Sequence, residues 1–324
     1  MLKTPKFWNN KNSIVSILLI PLSFLWQLAS ILNTKKKHKF LIPIIKIGNV
    51  VAGGAGKTPT VISLAQKLIN SGIKVHIILK GYKSTAKNSI QVNTKIHTYK
   101  EVGDEALICA KFAPTWVGKN RAISIKGAID AGAELVILDD GLQDPSIIAN
   151  LNILVFNGYQ GIGNGRIIPS GPMREKFSQA ISKSHLAIII DQDIRNIRAL
   201  IDGKIPVLDA NLKIEDKYSN NFKNKKVIAF CGIGYPEKFY KTLENIGCQI
   251  TYTKSFPDHY VYSRKDIQNL LKKSQELNSL LITTEKDHIK IMEDYKNRIY
   301  FFPISIEFND YKTLDNFLLS VIKN

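Results

Sequence analysis

Cysteine is scarce in this 324-residue chain: Cys109, Cys231 and Cys248 are the only three, and none stands in a C-x-x-C pair. Neither a disulfide framework nor a cysteine-based zinc site is therefore indicated, and a reducing cytosol suits the chain. Acidic residues are also few, 27 Asp and Glu against 45 Lys and Arg, which leaves a formal charge of +18. Such an excess attracts nucleic acid, an anionic membrane face or a phosphorylated substrate. The chain has no zinc finger, no aromatic RNA-binding signature and no basic region running into heptads, so no nucleic-acid partner is expected. Internal repeats and long low-complexity tracts are missing as well. With 44% hydrophobic residues, the chain has enough apolar material to bury an ordinary core and enough length for two domains.

What is present begins with an uncharged stretch. From Ser13 to Asn33 the chain reads SIVSILLIPLSFLWQLASILN, close to the ~20 residues a helix needs to cross a hydrocarbon core. A membrane-associated helix that spans or lies on a bilayer is expected there. Lys3, Lys6 and Lys11 precede it and Lys35, Lys36, Lys37 and Lys39 follow it, and the denser downstream cluster favours a cytoplasmic body. Pro21 predicts a kink, and Trp8 and Trp26 suit a headgroup interface. A signal peptide is disfavoured, because no A-x-A site follows and the glycine-rich loop starts too soon. A helix packed in a soluble core remains the alternative.

Beyond it, the apolar run Leu41 to Ile47, interrupted by Pro43, predicts a first buried strand, and Val61, Leu64, Ala65 and Leu68 give helical spacing over 57–70. Gly72 marks that helix's end. Apolar runs at 75–79, 135–138, 153–156 and 186–190 alternate with helix-length segments such as 104–112. This alternation predicts an α/β fold: a P-loop NTPase-like, doubly wound, mainly parallel sheet. A second strand-helix series, with strands at 227–230, 280–283 and 299–302 and a helix near 237–245, predicts a smaller α/β domain. The polar, Lys/Asn-rich stretch 213–226 separates the two. The expected organisation is a membrane-associated segment at 1–39, a P-loop domain at 40–212 and a C-terminal domain at 213–324.

Gly53-Gly54-Ala55-Gly56-Lys57-Thr58 lies between a predicted strand and a predicted helix, the setting a P-loop needs. Glycines let backbone N–H groups approach phosphate oxygens, and the helix N-terminus adds its positive end. Lys57 then reaches the terminal phosphates and the Thr58 hydroxyl can bind Mg²⁺. The strict G-x-x-x-x-G-K-[ST] pattern is broken by Val51, yet the G-G-x-G-K-T variant keeps every working part. An apolar strand ending in Asp139 and Asp140 supplies the carboxylates that a Walker B element places near the metal.

Several further boxes occur in one order: Gly48-Asn49, Pro59, Gly103-Asp104-Glu105, Asp139 to Gln143, Gly163-Asn164-Gly165-Arg166, Pro169 to Glu175, Gly232 to Glu237, Phe256-Pro257-Asp258-His259-Tyr260 and Thr283 to Asp287. Along nearly its whole length the chain resembles the tetraacyldisaccharide 4'-kinases. The resemblance implies transfer of the ATP γ-phosphate to the 4'-hydroxyl of a tetraacylated, singly phosphorylated glucosamine disaccharide, in lipid A synthesis. ATP and Mg²⁺ are the implied cofactors, and the cytosolic face of the inner membrane the implied location. An anionic membrane surface and a lipid substrate are the expected partners, with no obligate protein partner.

Residue by residue, the resemblance makes Asp104 the base, assisted by His259, with Lys57 on the transferring group. Asp139 and Asp140 become the metal-side acids. Gln143, Arg166, Arg174 and Glu175 become candidates for substrate phosphate or domain contacts, and a structural role stays open for all four. Asp104 also stands where a helix N-cap would, and His259 could be a hydrogen-bonded loop residue. The pairing of Asp104 with His259 implies that the C-terminal domain closes over the P-loop domain during turnover. Two positions depart from the family pattern. Asp144 replaces the usual histidine after Gln143, and Lys80-Gly81-Tyr82 replaces Arg-Gly-Tyr, losing bidentate phosphate recognition. A regulatory ATPase with a deviant P-loop is the alternative reading, but it would carry a lysine where this chain has Ala52. A GTP switch would need an Asn-Lys-x-Asp box, whereas Thr284-Glu285-Lys286-Asp287 has the wrong order.

Overall fold

The computed structural model describes residues 5–32, 36–81, 84–85, 88–214 and 216–322; Lys3, Lys35 and Tyr82 lie outside them. Backbone packing divides the chain into two units, one formed by Lys213–Ser305 and the other by Pro5–Leu212 with the segment from Ile306 onward.

The strands of the larger unit are β1 (Ile44–Gly48), β2 (Val75–Leu79), β3 (Ile90–Gln91), β4 (Thr115–Val117), β5 (Leu135–Asp139), β6 (Leu151–Asn157), β7 (Leu186–Ile190) and β8 (Val207–Lys213). The smaller unit holds β9 (Lys226–Cys231), β10 (Gln249–Ser255), β11 (Leu280–Thr284) and β12 (Tyr300–Phe302), after which β13 (Ser305–Phe308) rejoins the large sheet. Strands β1, β2, β5 and β7 are buried at every position, which is why they read as unbroken apolar runs instead of alternating ones.

The large sheet has the order β13-β8-β7-β6-β1-β5-β2-β4-β3. Pairing is parallel from β8 through β4, and the short β3 is antiparallel at the edge. Successive strands move one way from β1 to β2, then return past it to β6, so the carboxyl ends of β1 and its neighbours frame the crevice where doubly wound sheets bind ligands. The smaller unit is a parallel sheet of its own, β10-β9-β11-β12. Its core includes Phe230, Tyr262 and Leu271 on one face and Phe222, Leu243 and Phe302 on the other.

The first six helices are α1 (Ile14–Leu18), α2 (Ile20–Leu32), α3 (Lys57–Asn70), α4 (Tyr99–Val102), α5 (Asp104–Cys109) and α6 (Arg121–Asp130). In α3, Val61, Leu64, Ala65 and Leu68 are buried, and the helix stops at Ser71 before Gly72 with φ +87°. Asn120 caps α6 by accepting the Ala122 amide at 3.0 Å.

Two expectations are corrected. The apolar stretch 13–33 does not form one helix: it breaks at Leu19 between α1 and α2. Pro21 explains the break, since it brings no amide and its ring crowds the carbonyl of Ile17. Among the described residues no helix is long and apolar enough to cross a membrane. The packing of α1 and α2 is also inverted. Ser16 and Ser23 face the protein, with Ser16 Oγ donating to Ser170 O at 2.6 Å and Ser23 Oγ to Ile167 O at 2.7 Å. Ile14, Leu18, Phe24 and Leu25 are instead 74, 73, 64 and 60% exposed. The second correction concerns the ends of the domains. Residues 5–32 and 36–39 pack with the larger unit, and the C-terminal unit ends at Ser305, because β13 pairs beside β8 and the helix Tyr311–Ile322 buries Leu314, Leu318 and Val321.

A lysine lies inside the large sheet. Lys46, in mid-β1 and 6% exposed, donates to Asp144 O at 2.8 Å and Ile147 O at 2.6 Å. Burial lowers its pKa to about 8, against the pull of Asp144 and with help from Arg121 and Lys183. Even a neutral amine keeps two N–H donors for the two carbonyls. Between pH about 8 and 10.5 the unfolded chain therefore holds a proton at this position that the folded chain has released, so stability gained through Lys46 rises with pH across that window. Chemical denaturation of the wild type and Lys46→Met across this range is expected to show the difference moving in favour of the wild type as pH increases.

Candidate active site

β1 leads into the glycine-rich loop and α3 leads out of it, so residues 53–58 sit at a strand-to-helix bend. Gly53 has φ +116° and Gly56 φ +90°, a region that favours glycine. A Cβ on Gly56 would meet Ile190 Cδ1 at 2.5 Å. The loop is pinned from behind: Ala52 N donates to Pro172 O at 2.8 Å and Arg174 N to Val50 O at 2.7 Å. The Pro169 to Glu175 box thus serves as the wall of the cradle.

Lys57 Nζ lies 3.2 Å from Asn49 Oδ1 and 3.6 Å from Asp140 Oδ1. Thr58 Oγ1 donates to Asp139 Oδ2 at 2.8 Å. Asp139 is 3% exposed, and among the described residues its Oδ1 has no hydrogen-bond partner. Burial pushes the Asp139 carboxyl well above the usual carboxylate range, and the neighbouring Glu105 adds to the rise while Lys57 opposes it. Glu105 belongs to the Gly103-Asp104-Glu105 box, so that box acts electrostatically on the end of the acid strand. Asp104 itself is 6% exposed at the start of α5, where its Oδ1 accepts the Glu105 amide at 3.0 Å.

Asp140 behaves oppositely. Arg174 Nη1 reaches both of its carboxylate oxygens, at 2.9 and 2.8 Å. Burial alone would raise its pKa, but Lys57 and then Arg174 pull it to about 2. Adjacent acids, one pushed up and one held down, are the kind of arrangement found at chemical sites.

Of the other expected residues, Gln143 Nε2 donates to Asn49 O and to Glu175 Oε1, both at 2.8 Å. Lys183 Nζ donates to the Glu175 oxygens at 2.8 and 2.6 Å and to Leu142 O at 2.9 Å. Gln143 and Glu175 thus form a chain of bonds behind Asn49. Arg166 lies further off, its Nη1 donating to Ser16 Oγ on α1 at 2.7 Å. His259 belongs to the smaller unit, in the left-handed region at φ +57°. Its amide donates to Gly232 O at 3.1 Å, and Lys286 Nζ stands 3.2 Å from its Nε2. With Nζ donating, Nε2 is the acceptor and the ring proton sits on Nδ1.

Sequence reasoning placed Asn49 in the Gly48-Asn49 box without a role and passed over Arg121; both are buried against the site. Asn49 carried a signal, a lone amide at the end of an apolar strand. Arg121 gave none.

Among the described residues no cluster of three or more His, Cys, Asp or Glu side chains is arranged to hold a metal. What exists is an orphaned carboxylate oxygen on Asp139 next to the Thr58 hydroxyl. All-oxygen ligation by few side chains suits Mg²⁺, which keeps waters and takes its remaining ligands from substrate phosphates.

A family model described as tetraacyldisaccharide-1-P 4'-kinase matches residues 15–323. The chain belongs to the tetraacyldisaccharide 4'-kinase family. Curated family members from Rhodospirillum centenum and Paramagnetospirillum magneticum, each named tetraacyldisaccharide 4'-kinase, are 34 and 38% identical to it, over 99 and 95% of this chain and 97 and 95% of theirs. The crystal structure of LpxK from Aquifex aeolicus in complex with ATP superposes with a TM-score of 0.75 at 24% identity, covering 95% of this chain and all of that one. That likeness shows the fold. Of the two departures from the tetraacyldisaccharide 4'-kinase pattern, Lys80 is exposed, whereas Asp144 is paired with Arg121 at 3.1 Å.

Gly56→Ala tests the loop. Holding a Cβ at positive φ costs about 1–2 kcal/mol, so the variant is expected to lose about that much stability in urea unfolding and to bind nucleotide more weakly than wild type.

Proposed function

We propose that this chain transfers the γ-phosphate of ATP, with Mg²⁺, to the 4'-hydroxyl of a tetraacylated glucosamine disaccharide 1-phosphate at the cytosolic face of the inner membrane. The observation that carries this reading is the convergence of Lys57, Arg174, Thr58 and the split acid pair Asp139 and Asp140 at the mouth of the glycine-rich bend, in a chain that belongs to the 4'-kinase family.

In this reading the loop amides and Lys57 hold the triphosphate. Thr58 and the open oxygen of Asp139 would hold Mg²⁺, which when bound offsets charge on the phosphoryl group. Asp140, kept ionised by Lys57 and Arg174, fixes both cations at the spacing the phosphates need. Asp104, buried at the head of α5, takes the proton of the attacking sugar hydroxyl. The resemblance assigns His259 the assisting role, and Lys286 sets its tautomer. Arg166 is then a structural residue that ties α1 to the cradle.

The N-terminal helices suit a bilayer surface. Ser16 and Ser23 are spent on the protein while Ile14, Leu18, Phe24 and Leu25 point outward, the reverse of a soluble amphipathic helix. Lys6, Lys11, Lys36, Lys37 and Lys39 are exposed around them, which suits anionic headgroups at about 1 kcal/mol per residue near the surface. A surface-lying pair of helices would present the cradle to a substrate whose acyl chains stay in the membrane.

Purified protein incubated with labelled ATP, Mg²⁺ and a monophosphorylated acylated disaccharide is expected to label the lipid fraction. Phosphate release that ignores the acceptor, with no labelled lipid, would overturn the kinase reading. Asp104→Ala is expected to slow transfer by ~10² or more, the usual worth of a general base; wild-type rates in that variant would remove its role. Phe24→Glu with Leu25→Glu is expected to lower partitioning onto phosphatidylglycerol vesicles by ~10-fold or more, given about 1.5–3 kcal/mol for each large apolar side chain. Activity on detergent-dispersed acceptor is expected to survive that change, as neither side chain touches the site.

A further inference from the structure

Behind the acid turn lies an enclosed ion pair that the roles above leave unused. Arg121, the first residue of α6, is 4% exposed. Its Nη2 donates to two successive backbone carbonyls, Asp139 O at 3.0 Å and Asp140 O at 2.9 Å, and its Nη1 donates to Asp144 Oδ2 at 3.1 Å. The guanidinium therefore holds, with one flat group, the peptide planes from which both site acids project.

Asp144 is itself held from several sides. Its Oδ1 accepts the Ser146 hydroxyl at 2.6 Å and the Ser146 amide at 3.1 Å. Its own amide donates to Gly141 O at 3.1 Å, and its carbonyl accepts Lys46 Nζ at 2.8 Å. Burial alone would raise the Asp144 pKa, but the Ser146 bonds and Arg121 hold it at about 2, so the carboxylate stays charged opposite the buried guanidinium. Removing that charge would strand Arg121 in the interior.

The geometry of the acid turn makes such a hold necessary. Asp140 sits at φ +53°, a conformation that persists in a non-glycine residue only when its surroundings over-determine it. Turning the peptide between the two acids would swing Asp139 off Thr58 or Asp140 off Lys57 and Arg174.

We propose that Asp144, acting through Arg121, is a positioning residue that fixes the directions of the Asp139 and Asp140 carboxylates, and with them the cation-binding corner of the site. Where the 4'-kinase pattern usually has histidine, this chain has a permanent anion, which makes the brace a charge-clamped one. The role rests on the phosphotransfer reading in the kinetic measurement and stands apart from it in the binding measurement.

The test uses full-length wild type, Asp144→Asn and Ser146→Ala. Binding of a fluorescent ATP analogue is titrated in EDTA and then against MgCl₂, alongside phosphate transfer and thermal unfolding. In Asp144→Asn, affinity in EDTA is expected to stay within about twofold, while the Mg²⁺ concentration for half-saturation rises by about 10-fold, the lower end for loss of a residue that orients a metal ligand. kcat is expected to fall with KM for the acceptor unchanged. Ser146→Ala, which keeps the carboxylate but loosens it, is expected to move the Mg²⁺ requirement about 2–3-fold in the same direction. A lower unfolding temperature with a wild-type Mg²⁺ requirement would overturn the proposal, as would equal losses of binding with and without Mg²⁺. If Asp144→Asn does not fold, Ser146→Ala decides by the same criteria. Should the wild type transfer no phosphate, the kinase reading fails, and the comparison of Mg²⁺ requirements still decides whether Asp144 positions the acids.

Discussion

The site depends on one adjacency, the parallel pairing of β1 with β5 in the register that sets Ile47 beside Asp139. β1 delivers the glycine-rich bend and β5 delivers the acids, so the register alone fixes how far Thr58 stands from Asp139. A slip of one residue would turn every side chain of β5 to the opposite face and break the Thr58 to Asp139 bond. Both strands are buried on both faces, and that burial is what makes such a slip prohibitive.

Around that adjacency the chain arranges charge in layers. Lys57 and Arg174 face the crevice and hold Asp140 ionised. Arg121 and Lys46 lie behind the same turn and bond to its carbonyls or to the loop that follows. The overall excess of positive charge thus has a local expression: cations on two sides of a pair of acids, one set for the ligand and one for the backbone. Asp139, between them, is left with an oxygen that no group among the described residues uses.

Much of this was legible in the chain. The apolar runs at 75–79 and 186–190 coincide with β2 and β7, and the helical spacing over 57–70 with α3, because buried parallel strands and amphipathic helices each leave a strong local pattern. The weaker elements were missed for a physical reason. β3, β4 and β13 span two to four residues, too short for a period to register, and β8 and β10 have mostly exposed or mixed faces. The glycine-rich loop and the acid strand end were readable because their chemistry depends on residue type at fixed spacing. Arg121 was not, since its importance comes from three acceptors at positions 139, 140 and 144 that only the fold brings to it. The N-terminal stretch misled in a different way. Its composition matched a membrane span and Pro21 marked the break, but the inward-facing Ser16 and Ser23 depend on a docking surface, residues 164–170, that lies far along the chain.

The return of β13 to the large sheet has a consequence for biogenesis. Because β8 leaves the sheet at Lys213 and β13 rejoins beside it at Ser305, the smaller unit is an insertion within the larger one. A ribosome must therefore emit the whole inserted unit before the nucleotide-binding sheet can acquire its outermost strand and the helix that covers it. A nascent chain arrested after Ser305 would hold a finished inner sheet with β8 as an unprotected margin, the kind of edge that recruits foreign strands.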